Sequence, residues 1–181
     1  GMDRGQHGTG PSLRPEIFDL GAERQRLLGG VDAAFAQRPF MPAEPSWACN
    51  TSRETSPHQC YENFSGLAEP IAALHWWGVD LAYSSGWTEC DRAEPDEYRI
   101  GFYTDNAGQP DALVKELTVQ ATVTDTGFLG QGLYNVKEYE AVLPEKVRLS
   151  EGWISIAGVG GDTCWFLWGS SPEGDGISMQ T

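Results

Sequence analysis

Apolar residues alternate with polar residues along several short segments of this chain. The alternation is clearest in residues 117–123, and residues 98–103 and 139–143 repeat it. A period of two residues is typical of a β-strand with one buried face, and no long helical pattern separates these segments. The sequence therefore predicts an all-β fold in which two antiparallel sheets pack as a sandwich.

The distribution of tryptophan refines this prediction. Of the seven tryptophans in 181 residues, two are adjacent at Trp76 and Trp77 and two lie three residues apart at Trp165 and Trp168. Neighbouring residues of a strand point to opposite faces of the sheet, so each pair must divide between two faces. The tryptophans therefore predict an aromatic core together with some rings on an outer face.

The first third of the chain differs from the rest in composition. Glycine, proline and polar residues dominate residues 1–15, residues 22–37 carry a helical pattern broken by two glycines, and prolines interrupt residues 38–60. This order predicts a loose arm, one short helix and an extended loop that packs on the domain. We therefore expect an N-terminal arm and loop over residues 1–60 and a β-sandwich domain over residues 61–181.

The charge balance restricts the classes of partner. The chain has 12 Lys and Arg against 26 Asp and Glu, which gives a formal net charge of -14. Nucleic-acid binding needs clustered basic side chains for phosphate contacts, so no nucleic-acid partner is expected. The sequence also lacks an apolar run long enough for a membrane helix, so no transmembrane segment is predicted.

The four cysteines do not have the spacing of a zinc site, which favours disulfides. Three pairings are compatible with four cysteines, and we favour Cys49 with Cys60 and Cys90 with Cys164. The alternative is four reduced, buried thiols. Disulfides are typical of exported proteins, so a secreted or cell-surface location is expected. Because residues 2–10 lack an apolar signal segment, we expect that the signal peptide is not part of this sequence.

The composition of residues 105–110 predicts a tight turn with hard oxygen ligands around it. Asp105, Asn106 and Asp111 supply these oxygens, which suit calcium. The alternative is a metal-free turn in which Asp105 and Asn106 bond to their own backbone. We therefore predict no required cofactor and consider structural calcium as the candidate metal.

Aromatic rings on an outer face would suit a sugar ligand, because the C–H groups of sugars stack on flat rings while nearby carboxylates accept hydroxyl protons. The alternative is a structural or protein-interaction domain whose rings all lie in the core. A glycoside hydrolase or lyase comes third, since it would need two facing carboxylates that sequence spacing cannot reveal. The candidate binding residues are Trp76, Trp77, Trp87, Tyr103, Trp165 and Trp168.

Several motifs resemble those of a known kind of domain. They are Tyr-Glu-Asn-Phe-Ser at 61–65, the Trp-Trp-Gly run within 71–78, and Tyr-Arg-Ile-Gly-Phe-Tyr-Thr-Asp at 98–105 followed by Gly-Gln-Pro at 108–110. Residues 61–181 thereby resemble a jelly-roll-like domain of predicted secreted, cell-surface-sorted bacterial proteins. The resemblance implies a jelly-roll-like sandwich and export. We expect a non-catalytic binding module, with carbohydrate or a surface protein as its partner.

Overall fold

A computed structural model describes residues 49–52, 59–92, 97–130, 132–160, 163–169 and 178–180. Within these ranges the chain forms eleven β-strands and no helix, so this part of the protein contains no helix able to cross a lipid bilayer. The strands are β1 Cys49–Ser52, β2 Cys60–Phe64, β3 Ile71–Tyr83, β4 Trp87–Glu89, β5 Glu97–Asp105, β6 Pro110–Gln120, β7 Thr122–Gly130, β8 Tyr134–Val147, β9 Gly152–Gly158, β10 Trp165–Gly169 and β11 Ser178–Gln180.

The strands form two antiparallel sheets. Sheet A has six strands in the order β1-β10-β3-β8-β7, and β4 pairs with the C-terminal end of β3. Sheet B has five strands in the order β11-β2-β9-β5-β6. Four strands of sheet A (β1, β10, β3, β8) and four of sheet B (β2, β9, β5, β6) follow one another along the chain in the sheet order A, B, A, B, B, A, B, A, as in a jelly roll. The predicted jelly-roll-like β-sandwich is therefore confirmed.

The core between the sheets contains a group of aromatic rings packed on one another. Tyr98, Tyr139 and Phe166 pack edge to face, with ring centroids 5.3 to 5.4 Å apart. Trp76 stacks on Tyr139 at 5.7 Å and meets the edge of Tyr98 at 5.3 Å. Edge-to-face and stacked pairs of this kind each add about 1 kcal/mol beyond the area they bury. The aromatic core that the tryptophans predicted is therefore present.

The outer face of sheet A carries a second apolar cluster. Its buried members are Trp77, Val79, Leu81, Val136 and Leu167. Trp77 follows Trp76 in β3, and the two rings lie on opposite faces, as strand alternation requires. This sheet is therefore apolar on both of its faces at one end.

The chain passes from sheet B to sheet A through a single residue. β6 ends at Gln120, Ala121 follows, and β7 begins at Thr122. Residues 117–123, which alternate as one strand, are therefore divided between two sheets. The alternation persists because Leu117 and Val119 enter the central core from one sheet and Val123 packs against the same core from the other.

The β5–β6 connection is a tight hairpin turn. Ala107 and Gly108 both have positive φ values, 54° and 80°, and backbone hydrogen bonds join Asn106 to Gln109 in both directions. Positive φ at both central residues defines a type I′ turn, which matches the twist of the flanking strands. The turn that the sequence predicted between Asp105 and Pro110 is confirmed.

One predicted boundary changes. The segment 38–60 was expected to be an extended loop, but β1 lies within it and pairs with β10. Pro144 lies within β8, which continues to Val147, at the point where the β3–β8 pairing is irregular. The predicted arm and the helix over residues 22–37 lie outside the described residues.

Candidate ligand-binding surface

Three aromatic side chains meet at one end of the outer face of sheet A. Tyr83 is 60% exposed, Trp87 is 37% exposed and Trp165 is half-buried. The ring centroids of Tyr83 and Trp87 are 5.0 Å apart, and those of Trp87 and Trp165 are 5.6 Å apart. We call these three residues the aromatic patch.

Strand register brings the patch together. Tyr83 in β3 pairs with Trp87 in β4, and on the next row of the same face Leu81 pairs with both Glu89 in β4 and Trp165 in β10. Residues opposite each other on neighbouring strands have adjacent side chains. The patch therefore combines aromatic rings from three strands with one carboxylate, that of Glu89, at its border.

Three contacts hold the short strand β4 in place. The Glu89 carboxylate accepts a hydrogen bond from the backbone N–H of Asn135 in β8. Immediately after β4, Cys90 forms a disulfide with Cys164, which precedes β10, and the Cys90 N–H donates to the carbonyl of Asp80 at 3.2 Å. The predicted Cys90–Cys164 bridge is confirmed, and it fixes the two strands that carry Trp87 and Trp165.

The outer face of sheet A continues from the patch through Trp77. His75 packs against Trp77 with centroids 4.6 Å apart, and its Nε2 atom lies 2.6 Å from a carboxylate oxygen of Glu138. Trp77 is buried in the second apolar cluster, so its ring packs against other side chains of this face and is not available to a ligand. His75 and Glu138 lie beside it as the polar continuation of the same face.

Two of the candidate binding residues belong to the core. Trp76 is only 2% exposed between the sheets, so the structure corrects its assignment as a ligand-binding residue. Trp168 packs against the same central cluster. Trp165 lies on the opposite face from Trp168, in line with their spacing of three residues.

Tyr103, the remaining candidate, lies on the outer face of sheet B. Its hydroxyl accepts a hydrogen bond from Gln59 at 3.0 Å, and its ring meets that of Tyr61 edge to face at 5.2 Å. A Cβ atom on Gly101 would lie 2.7 Å from the Tyr103 ring, so glycine at that position lets the ring lie flat on the sheet. Tyr103 is therefore half-buried and separate from the aromatic patch.

The turn proposed for calcium uses Asp105 for bonds within the protein. One carboxylate oxygen accepts from the indole N–H of Trp153 at 2.7 Å, and the other accepts from the backbone N–H of Gly108 at 3.1 Å. Asn106 and Asp111 are exposed. In the described part of the chain, no group of three or more His, Cys, Asp and Glu side chains is arranged to hold a metal ion.

A buried ion pair lies beneath the patch. Asp80 is 4% exposed on the inner face of β3, where one oxygen accepts from Lys137 Nζ at 3.0 Å and from the Tyr139 hydroxyl at 3.1 Å. Burial, the negative charge of Asp80 and their hydrogen bond raise the pKa of Tyr139 well above its usual value. For Lys137, burial acts to lower the pKa, but attraction to Asp80 outweighs it and the pKa is raised.

Cys60 is fully buried in β2, and burial raises its pKa to about 12. The side chain of Cys49 lies outside the described side chains, so the predicted Cys49–Cys60 bridge stays a prediction.

Tyr83 is the patch residue that the sequence did not reveal. The apolar Trp-Trp-Gly run lies within residues 71–78, whereas β3 extends to Tyr83 and the chain then turns back into β4. Only the pairing of Tyr83 with Trp87 shows that their rings are neighbours. A tyrosine four residues before a tryptophan, with Ser-Ser-Gly between them, was the available signal for this hairpin.

Comparison with protein-family models, curated proteins and solved structures finds no match to this chain.

Proposed function

We propose that this protein is a non-catalytic, exported binding module whose aromatic patch binds carbohydrate. The observation that carries the proposal is the exposure of two adjacent rings, Tyr83 and Trp87, whereas the other aromatic side chains in the described part of the chain are buried or half-buried. Exposed apolar clusters on a folded domain commonly mark interaction sites.

The chemistry of the patch suits a sugar. The rings of Tyr83, Trp87 and Trp165 offer apolar faces for C–H groups, and the Glu89 carboxylate and the Tyr83 hydroxyl can bond to sugar hydroxyls. All of these groups are supplied by paired strands rather than by a long loop. The surface is therefore preorganised, which limits the entropy lost on binding.

Export is supported by two further observations. Disulfides persist mainly in oxidising compartments, and the Cys90–Cys164 bridge joins two segments of the fold. Residues 61–181 also resemble jelly-roll-like domains of secreted, cell-surface-sorted bacterial proteins. These observations favour a secreted or cell-surface module.

Affinity electrophoresis through gels that contain soluble polysaccharides tests the proposal. We expect at least one polysaccharide to retard the native protein, and Trp87→Ala and Tyr83→Ala to abolish most of that retardation. Leu113→Ala is the matched control, because Leu113 is 52% exposed but lies on β6 of sheet B. Circular dichroism should show an unchanged fold for all three variants.

The possible results separate the alternatives. If no glycan retards the native protein, or if the patch variants are retarded as strongly as the native protein, the proposal is wrong and a structural or protein-interaction role is favoured. Turnover of model glycosides would instead favour a glycoside hydrolase or lyase.

A further inference from the structure

The angles between the rings of the patch restrict the shape of its ligand. The planes of Tyr83 and Trp87 are inclined by 59°, and those of Trp87 and Trp165 by 73°. Rings that stack on a flat crystalline surface would have to lie nearly in one plane, and no two neighbouring rings of this patch do so. The ring planes instead change direction from one residue of the patch to the next.

We infer, on the basis of the proposed function, that the patch binds a single soluble, twisted chain of neutral sugars. The centroid spacings of 5.0 and 5.6 Å are similar to the length of one sugar unit in such a chain. Successive units of a twisted chain present their C–H faces in successive directions, as the three rings do. A flat array of parallel chains would contact one ring and clash with its neighbours.

The charges around the patch favour a neutral ligand. Glu89 places a carboxylate at its border, and the chain as a whole carries a formal charge of -14. The basic side chains on neighbouring segments are used in the interior: Lys137 bonds to Asp80, and Arg92 donates to the carbonyl oxygens of Glu97 and Val159. An anionic glycan would therefore meet repulsion, and these two basic side chains are already engaged within the protein.

Trp87 is the central residue of this arrangement. Its ring contacts the rings of both Tyr83 and Trp165, whereas no contact between the rings of Tyr83 and Trp165 is found among the described residues. Loss of the Trp87 ring should therefore remove a stacking surface and also release its two neighbours. Loss of Tyr83 should remove one terminal surface and leave the Trp87–Trp165 contact.

The experiment compares three kinds of ligand with the same protein preparations. The probes are soluble neutral glucans, xylans and mannans, microcrystalline cellulose, and the anionic polysaccharides polygalacturonate and heparin. Binding is measured by affinity electrophoresis for the soluble probes and by depletion from solution for cellulose. The proteins are the native chain, Trp87→Ala, Tyr83→Ala, Tyr83→Phe and the control Leu113→Ala.

We expect binding to at least one soluble neutral glycan, weakened about tenfold or more by Trp87→Ala and less by Tyr83→Ala. Tyr83→Phe keeps the ring and loses only the hydroxyl, so it should weaken binding less than Tyr83→Ala, and Leu113→Ala should leave binding unchanged. Binding to an anionic polysaccharide or to microcrystalline cellulose that equals or exceeds binding to neutral soluble chains, and that depends on Trp87, would overturn this inference while leaving carbohydrate binding intact. Failure to bind any probe would contradict the proposed function itself.

Discussion

Cys90 and Cys164 join the two strands that flank β3 at its C-terminal end. Cys90 follows β4, Cys164 precedes β10, and both strands pair with β3 at Leu81. Their Cα atoms are 5.8 Å apart although 74 positions separate them in sequence. The bridge therefore adds a covalent link between the two strands that carry Trp87 and Trp165.

Reduction of this disulfide should weaken both the fold and the patch. Closing a long loop restricts the unfolded chain, so we expect the free energy of unfolding to fall by about 2–4 kcal/mol. Urea unfolding with and without reductant measures this loss. The double variant Cys90→Ala/Cys164→Ala should have the lower stability from the start and respond little to reductant. An equal response of this variant and the native protein would assign the effect to another bridge.

The Asp80–Lys137 pair should contribute more to stability than a surface pair. Lys137→Met would leave the buried Asp80 carboxylate without its cation, which we expect to cost roughly 3–5 kcal/mol. Lys115→Met is the matched control, because Lys115 pairs with Glu145 at the surface and should contribute less than about 1 kcal/mol. Urea unfolding midpoints of the two variants measure the difference. Similar losses in both would show that Asp80 is not stabilised by Lys137.

Stability should decline in alkaline solution. Cys60 has its pKa raised from 9.0 to about 12, and the pKa values of Tyr139 and Lys137 are also raised. Each group then binds its proton more tightly in the folded protein, so the unfolded state loses protons first as the pH rises. The free energy of unfolding should fall by about 1.4 kcal/mol per pH unit for each group that has passed its unfolded pKa but not its folded pKa.

Cys60→Ala identifies the first step of this decline. With Cys60 as a thiol, urea midpoints of the native protein should begin to fall near pH 9.0, whereas those of the variant should hold until Tyr139 and Lys137 begin to titrate in the unfolded chain. If Cys49 and Cys60 form the predicted bridge instead, Cys60 does not titrate, and the decline in both proteins begins with Tyr139 and Lys137.

Replacing a core tryptophan should destabilise the protein more than replacing a tryptophan of the aromatic patch. Trp76→Ala opens a cavity beside Tyr139 and should cost roughly 3–5 kcal/mol. Trp87→Ala removes a partly exposed ring and should cost about 1 kcal/mol. Thermal unfolding measures both, and acrylamide quenching should lose an accessible component only in the Trp87 variant. A large destabilisation by Trp87→Ala would mean that this ring is structural.

Asp105 should act as a hydrogen-bond acceptor whether or not calcium is present. Asp105→Ala leaves the indole N–H of the fully buried Trp153 without its acceptor, and we expect a loss of about 1 kcal/mol or more. Melting temperatures measured with EDTA and with calcium should be equal, because both Asp105 oxygens already accept bonds. A calcium-dependent rise that Asp111→Asn abolishes would support the metal site.

The alternation of apolar and polar residues was sufficient to predict an all-β sandwich. It placed Trp76 and Trp77 on opposite faces because that relation is local to one strand. The patch depends instead on the register of β3 with β4 and β10, and Asp80 meets Lys137 across 57 positions. Such relations arise from strand pairing between distant segments, so composition and periodicity could suggest exposed rings without showing which rings become neighbours.

The one-residue link at Ala121 determines at which edge the two sheets of the sandwich can separate first. Along the β6–β7 side the two sheets are tethered almost directly, so they cannot separate there without breaking strand pairs first. On the other side sheet B ends in the three-residue strand β11 and sheet A in the four-residue strand β1. Amide exchange should therefore be fastest in the edge strands β1 and β11 and slowest in β3, β5 and β9. Local opening should begin at the β1/β11 edge, while the link at Ala121 keeps the opposite edge closed.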